Sequence, residues 1–276
     1  MLDTPADRDA LLALLDFYVA AGVDIALDER PRNRFAEAAE IARAHAAQPA
    51  GAPSPPRPSS AEPVQRIEAK APPAPDDAAQ TAREQARNAQ SLAELEALLA
   101  AFEGCGLRIT AKNLVFADGD PGGHVMFVGE APGGDEDRVG KPFVGRSGQL
   151  LDRMLAAIGL DRTEVYIANV VPWRPPGNRT PTPQEIAICK PFIEKQIELA
   201  DPDILVCLGG PSAQTLLNVR DGILKTRGRW FSYQTGRREI RAFATLHPAY
   251  LLRQPLQKRL AWRDFRALKR ALQAPT

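Results

Sequence analysis

The sequence predicts an α/β fold, a three-layer α/β/α sandwich around a mainly four-stranded parallel sheet. From residue 113 onward, short apolar runs alternate with helical segments. The runs are continuous rather than alternately polar, which is typical of strands that are buried on both faces. Gly, Pro or Asp bounds each run, as expected where strands end. The first 80 residues lack this pattern, so we expect a helical and proline-rich extension there.

Four strands and three intervening helices are predicted in this region. The strands are 124–129, 165–171, 204–209 and 240–246, and the helices are 147–158, 183–199 and 211–217. In parallel sheets of this kind, ligands bind at the carboxyl ends of the strands. Three strands carry polar residues at or near their ends: Gly129-Glu130 at the end of the first, Asn169 near the end of the second, and His247-Pro248 at the end of the fourth. We therefore expect a functional site at this edge.

The chain divides into three predicted parts: a helical extension (1–48), a proline-rich linker (49–80) and a catalytic domain (81–276). Apolar spacing favours helices at 5–22 and 34–46. Nine prolines lie between positions 49 and 75, and such a segment cannot bury enough apolar surface to offset its ordering entropy. A further helix is predicted at 82–102.

Composition and charge favour a cytosolic protein. The N-terminus is acidic and has no signal-peptide pattern, no apolar run reaches the ~18 residues of a spanning helix, and the three cysteines are scattered. The net charge is only +1, but residues 220–270 hold fourteen Lys or Arg against three acids. This block is either a solvated face or a contact for a phosphate-bearing partner.

Three stretches together resemble the motifs of family-4 uracil-DNA glycosylases, the iron–sulfur branch of that superfamily. They are "GEAPGGDEDRVGKPFVGRSGQLLDRML", "YIANVVPWRPPGNRTPTPQE" and "HPAYLLR". The similarity covers about residues 103–268 and keeps the family's motif order. It implies a DNA-repair enzyme that flips uracil out of DNA and hydrolyses its N-glycosidic bond. An abasic site would remain, with no lyase step because no motif lysine occupies a nucleophile position.

The resemblance implies a pocket for an extruded nucleotide, because a glycosylase cannot reach its bond inside a duplex. Phe143 can stack on the base, although a lone Phe is ordinarily core packing. Asn169 offers a donor and an acceptor to the uracil edge, although an Asn at a strand end can equally turn the backbone. The implied uracil-binding residues are Gly129, Ala131, Phe143 and Asn169.

The expected catalytic residues are Glu130, His247, Glu136 and Asn178. His247 would stabilise the negative charge that develops on uracil O2, and Glu130 would orient water or balance charge on the sugar. Some branches of the superfamily place an Asp where this chain has Ala131, so we expect no strong general base and a dissociative path. By resemblance, Glu136 and Asn178 form a pair that ties the first motif to the "PPGNR" loop.

The last motif predicts a loop that enters the duplex, because apolar side chains exposed on a proline-bounded loop are costly unless they insert between bases. Leu251 or Leu252 is the expected wedge, with Tyr250 and Arg253 on the DNA backbone. The expected phosphate contacts are Arg146, Ser147, Arg174 and Arg179. The expected partner is uracil-containing DNA, single- or double-stranded, bound by a monomer.

The cysteines depart from the family pattern, in which four thiolates hold a cubane cluster. Cys105 and Cys189 occupy ligand-like positions, but the other two positions are Arg108 and Trp173. Cys207 falls in a predicted core strand. We therefore expect no cofactor and no metal, with Trp173, alone or together with Arg108, filling the space of the cluster.

Three alternatives stay open at this point. One is a glycosylase for another deaminated base, such as hypoxanthine or xanthine. Another is a non-catalytic uracil-DNA binder that traps its target covalently, although the histidine of the related branch is missing from "WRPPGNRTPTP". The third is a nucleotide-binding module, although neither a P-loop nor a dinucleotide fingerprint is present.

Overall fold

A computed structural model gives the fold of residues 75–273. The predicted extension (1–48) and its two helices lie outside the described residues, as does most of the predicted linker (49–80). None of the helices described here is both long and apolar enough to cross a membrane.

Six strands and ten α-helices follow one another through the described part of the chain. The strands are β1 (Asp118–Gly119), β2 (Val125–Gly129), β3 (Tyr166–Asn169), β4 (Ile204–Leu208), β5 (Trp230–Gln234) and β6 (Glu239–Thr245). The helices are α1 (Pro75–Asn88), α2 (Leu92–Ala101), α3 (Leu107–Thr110), α4 (Gly134–Val139), α5 (Arg146–Ala156), α6 (Pro183–Ala200), α7 (Gly210–Leu217), α8 (Ile223–Thr226), α9 (Pro248–Arg253) and α10 (Lys258–Gln273). Short 3₁₀ turns cover Pro176–Asn178 and Pro255–Gln257.

The strands form one sheet in the order β1-β3-β2-β4-β6-β5. The four inner strands are parallel, and the two edge strands are antiparallel to their neighbours. The predicted α/β class with a four-stranded parallel centre is thereby confirmed. The edge strands were not predicted, because β1 has two residues and β5 buries only Tyr233.

Both faces of the sheet are covered, as the continuous apolar runs predicted. Met126 and Val128 of β2 belong to one buried cluster, which α1, α2, α6 and α7 cover. Val125 and Phe127 belong to another, which α5 and α10 cover. Alternate side chains of one strand thus pack into opposite helical layers. Packing on both faces fixes the positions of the strand ends.

The N-terminal helices differ from the prediction of a single helix at 82–102. Helix α1 begins at Pro75, inside the segment predicted as linker, and packs against α6. Its buried side chains are alanines, Ala78, Ala79, Ala82 and Ala86. A second helix starts after Ser91, whose hydroxyl accepts a hydrogen bond from the Glu94 N–H. The small alanine side chains let α1 approach α6 closely. A helix of this kind lacks the spacing of large apolar residues that predicts the other helices.

Candidate functional site

A cavity of about 510 Å³ opens at the carboxyl ends of the parallel strands, where the sequence predicted the site. Eleven predicted site residues line it: Glu130, Ala131, Glu136, Phe143, Ser147, Asn169, Asn178, Arg179, His247, Tyr250 and Arg253. Gly129, Arg146, Arg174, Leu251 and Leu252 are not on its wall. Three distant segments of the sequence therefore converge on one cavity.

Phe143 and Asn169 meet across Gly129, the last residue of β2. A Cβ atom at position 129 would lie 2.4 Å from Asn169 Oδ1 and 2.7 Å from the Phe143 ring. No real side chain tolerates such distances, so only glycine lets the ring and the carboxamide come together here. The Phe143 ring is also 5.4 Å from the His247 imidazole, measured between centroids.

Asn169 ends β3 opposite Gly129 in the parallel register. Its side chain is buried, and its Oδ1 has no hydrogen-bond partner among the described residues. A buried acceptor without a partner destabilises a protein by about 1–3 kcal/mol, so such atoms are uncommon outside functional sites. Asn169 is thus ready to accept a hydrogen bond from a ligand in the cavity.

Glu130 presents a second acceptor of the same kind. Its Oε1 is buried and has no hydrogen-bond partner within residues 75–273. Burial raises the pKa of this carboxyl, and a hydrogen bond with Thr180 opposes that shift. Asn169 Oδ1 and Glu130 Oε1 are therefore two buried acceptors without a donor among the described residues, and both residues line the same cavity.

His247 presents a neutral N–H to the cavity. The Ala249 N–H donates to His247 Nδ1 over 3.1 Å, so the proton of the neutral ring sits on Nε2. Burial, followed by the charge of Arg253, lowers the pKa of His247 from 6.5 to about 4. The imidazole is therefore a hydrogen-bond donor without positive charge at neutral pH.

Glu136 does not pair with Asn178, and the prediction that it does is wrong for this structure. The Glu136 carboxylate accepts from the N–H groups of Gly133, Val144 and Gly145, at 3.1, 3.0 and 2.9 Å. Asn178 Oδ1 instead accepts from Arg174 Nε at 2.7 Å. Through-space partners of a carboxylate are not encoded in motif spacing. Glu136 therefore joins two parts of the first motif to each other.

The predicted phosphate contacts differ in availability. Arg146 and Arg253 are exposed near the cavity mouth, and Ser147 is partly exposed at the start of α5. Arg179 is held by two hydrogen bonds to the carboxylate of Glu185, at 2.9 and 2.7 Å. A paired guanidinium offers less positive charge to a phosphate, so Arg179 is less available than Arg146 or Arg253.

Leu251 is not an available wedge, which corrects one of the two alternatives. Its side chain is buried in a small cluster with Leu246 and Ala261. Leu252, the next residue on α9, is exposed. Adjacent residues of a helix point in different directions, so burial of Leu251 turns Leu252 outward.

Some residues of the site were missed from the sequence. Gly209, with φ +94°, follows β4, and a Cβ atom there would lie 3.1 Å from His247 Cβ. The sequence Gly-Gly-Pro after a buried strand could have indicated this close approach. Thr180 contacts Glu130 from the second motif. Arg162 contacts the Phe143 loop and lies outside every motif, so no sequence signal identified it.

Comparison with known proteins extends these observations. The family model described as "Uracil DNA glycosylase superfamily" matches residues 116–266. The type-4 uracil-DNA glycosylase of Archaeoglobus fulgidus is 38% identical over 183 residues, which cover 65% of this chain and 92% of that protein. The type-4 uracil-DNA glycosylase of Thermotoga maritima is 43% identical over 150 residues, covering 54% of this chain and 77% of that protein.

These relatives contradict the expectation that no cofactor is bound, because type-4 enzymes are iron–sulfur enzymes. The sulfurs of Cys105 and Cys189 lie 4.0 Å apart and buried. Arg108 donates to the Ala100 carbonyl, and Trp173 is buried. Cys207 lies in β4 and is buried as well.

The fit of a four-cysteine cluster to these residues is incomplete. Residues 75–273 contain no group of three or more His, Cys, Asp or Glu that could hold a metal ion, whereas a cubane cluster uses four cysteine ligands. The pair Cys105 and Cys189 supplies two. No step of the reaction is therefore derived through a cluster.

Proposed function

Since this chain belongs to the uracil DNA glycosylase superfamily and is a uracil-DNA glycosylase, we propose that it flips uracil out of DNA, hydrolyses the N-glycosidic bond and leaves an abasic site. The observation that carries the finer part of this proposal is Asn169. Its buried Oδ1 lacks a donor among the described residues, and uracil N3–H is a donor of the right kind. The carboxamide N–H₂ completes the pair by donating to uracil O4.

Base recognition in this proposal uses the close contact at Gly129. The Phe143 ring stacks on the extruded base, which contributes about 1–3 kcal/mol for a base on an aromatic side chain. Asn169 then pairs with the Watson–Crick edge of the same base. Cytosine presents the opposite donor and acceptor pattern at this edge, so the same carboxamide orientation disfavours it.

Bond cleavage in this proposal depends mainly on the leaving group. As the bond between C1′ and N1 breaks, its electron pair moves onto uracil and spreads to O2. His247 Nε2–H donates to that oxygen, and a neutral donor is what its lowered pKa provides. Water adds its hydroxide to C1′, and its proton ends on the released base. Glu130 holds this water by accepting its hydrogen bond through Oε1.

The DNA contacts follow from exposure around the cavity mouth. Leu252 is the proposed wedge, because it is the exposed leucine of α9. Tyr250, Arg253 and the start of α5 at Arg146 and Ser147 supply the contacts to the phosphates. We also propose that the protein acts as a monomer in the cytoplasm.

The absence of a lyase step is supported by the lining of the cavity. Among the described residues that line it, none is a lysine. A lyase step needs an amine that forms a Schiff base with the sugar. The reaction is therefore proposed to stop at the abasic site.

The experiment is incubation of the full chain with oligonucleotides that carry one uracil, hypoxanthine or xanthine, single-stranded and paired. Release of the base is detected by strand scission after alkali, and samples without alkali report lyase activity. We expect scission of the uracil substrates only, and only after alkali. Preferential release of hypoxanthine or xanthine would show that this base, and not uracil, is the main substrate. A covalent complex without base release would indicate a binder.

A further inference from the structure

Phe143 holds an unusual backbone conformation. Its φ is +53°, in the left-handed region that favours glycine. A non-glycine residue stays in this region only when its surroundings impose the conformation. The loop that carries the aromatic ring is therefore held by something other than its own preference.

One constraint comes from Arg162, which lies in the loop between α5 and β3. Its Nη1 donates to the carbonyl oxygen of Phe143 at 2.8 Å, and its Nη2 donates to that of Pro142. Two carboxylates orient the guanidinium: Asp118 of β1 binds Nε, and Asp152 of α5 binds Nη1 at 2.9 Å. A planar group with five N–H donors can make all these bonds at once, which an ammonium cannot.

A second constraint comes from the other side of the same loop. Glu136 accepts from the N–H groups of Val144 and Gly145, so two charged side chains bind four consecutive residues, 142–145. Helix α5 closes the third side, since a Cβ at Gly148 would lie 1.7 Å from the Phe143 carbonyl oxygen. The position of the Phe143 ring is fixed before any ligand enters.

We propose that Arg162 is a positioning residue for base stacking: it holds the Pro142 and Phe143 carbonyls so that the Phe143 ring faces the cavity when the nucleotide arrives. Arg162 does not line the cavity and acts through Phe143. Preorganisation of this kind matters because ordering a loop during binding would consume part of the binding free energy. The inference rests on the proposed role of Phe143 as the stacking face.

The chain offers a matched control for Arg162. Arg238 also binds two carboxylates, those of Asp201 and Asp203, and two backbone carbonyls, those of Asp201 and Pro202. These partners precede β4, at the opposite end of the sheet from the cavity. Arg238→Met therefore removes a comparable set of bonds without touching the Phe143 loop.

The test compares Arg162→Met with Arg238→Met in single-turnover assays on a uracil oligonucleotide. We expect Arg162→Met to lower the rate at saturating DNA by about tenfold, because stacking on the flipped base weakens. The DNA concentration at half-saturation should change little, since the phosphate contacts remain. Arg238→Met should keep the wild-type rate. A merely structural role would lower the reactive fraction and the melting temperature while leaving the rate of that fraction unchanged, and this result would overturn the proposal.

A double substitution separates this inference from the proposed function. If Arg162 acts through Phe143, then adding Arg162→Met to Phe143→Ala should have no further effect on the rate. Independent multiplication of the two effects would overturn the positioning role while leaving Phe143 as the stacking face. A wild-type rate for Phe143→Ala would instead overturn the proposed role of Phe143. Arg162→Lys, which keeps the charge, serves if Arg162→Met does not fold, and a wild-type rate for it would also overturn the proposal.

Discussion

Replacement of Asn169 should separate activity from stability. Its side chain is 4% exposed, and its Oδ1 has no partner in the described part of the chain. Gln196 is also 4% exposed, but its Nε2 donates to the Phe116 carbonyl at 3.3 Å and to the Tyr166 hydroxyl at 3.0 Å. The two buried carboxamides form a matched pair, because Asn169 Oδ1 has no hydrogen-bond partner among the described residues whereas Gln196 Nε2 has two.

The expected changes in stability follow from these contacts. Asn169→Ala removes an unpaired buried acceptor, a gain of about 1–3 kcal/mol, and leaves a cavity that offsets it. The free energy of unfolding should therefore change by less than about 1 kcal/mol. Gln196→Ala leaves both a cavity and an unpaired Tyr166 hydroxyl, and should lower the free energy of unfolding by about 2–4 kcal/mol.

The expected loss of activity is larger for Asn169→Ala than for Gln196→Ala, the reverse of the order for stability. Two hydrogen bonds to the base edge contribute about 3 kcal/mol in all, so Asn169→Ala should lower kcat/KM by a factor of about 10². Gln196→Ala should keep its activity below its melting temperature. Urea denaturation and initial rates of abasic-site formation measure both quantities. An Asn169→Ala protein with kcat/KM within about threefold of wild type would refute the reasoning, as would one that unfolds as easily as Gln196→Ala.

Three further predictions concern the wedge, the N-terminal boundary and pH. Leu251→Ala should lower the free energy of unfolding by about 2–5 kcal/mol because it empties a buried site, whereas Leu252→Ala should mainly slow uracil release from duplex DNA. Denaturation and duplex assays check this pair, and marked destabilisation by Leu252→Ala would contradict it. A chain that lacks residues 1–74 should stay folded and active, whereas one that lacks residues 1–88 should melt at a lower temperature because α6 loses α1; an insoluble product of the shorter deletion would contradict this. The folded pKa of His247 is about 4 against an ordinary 6.5, so the unfolded chain binds this proton first as pH falls. Stability should therefore be retained above pH 6.5 and lost towards pH 4, relative to His247→Gln; a pH-independent difference between the two proteins would argue against the shift.

The sheet and the place of the cavity were predictable because they depend on local patterns. Continuous apolar runs predict strands that are buried on both faces, and the carboxyl ends of parallel strands meet at one edge. Asn169 lies near the end of one such run and His247 directly follows another, so their convergence could be expected. The edge strand β1 was not predictable, since two residues carry no periodicity.

What the sequence did not predict depends on contacts across space. Leu251 and Leu252 are chemically identical neighbours, and only the packing of α9 decides which one is buried. Glu136 binds backbone N–H groups, which leave no trace in side-chain patterns. The expectation of no cofactor was wrong: it depended on Arg108 and Trp173 at two ligand-like positions, whereas the domain as a whole resembles iron–sulfur enzymes.

The edge strand β1 both covers β3 and holds Arg162. Edge strands present unpaired backbone groups that can pair with another chain and begin aggregation, and very short edge strands reduce this hazard. Here β1 covers the outer side of β3, the strand that ends in Asn169, and its Asp118 also anchors Arg162. A substitution that detaches β1 would therefore expose β3 to intermolecular pairing and release the Phe143 loop in the same event. Asp118 therefore takes part both in covering the outer side of β3 and in holding Arg162.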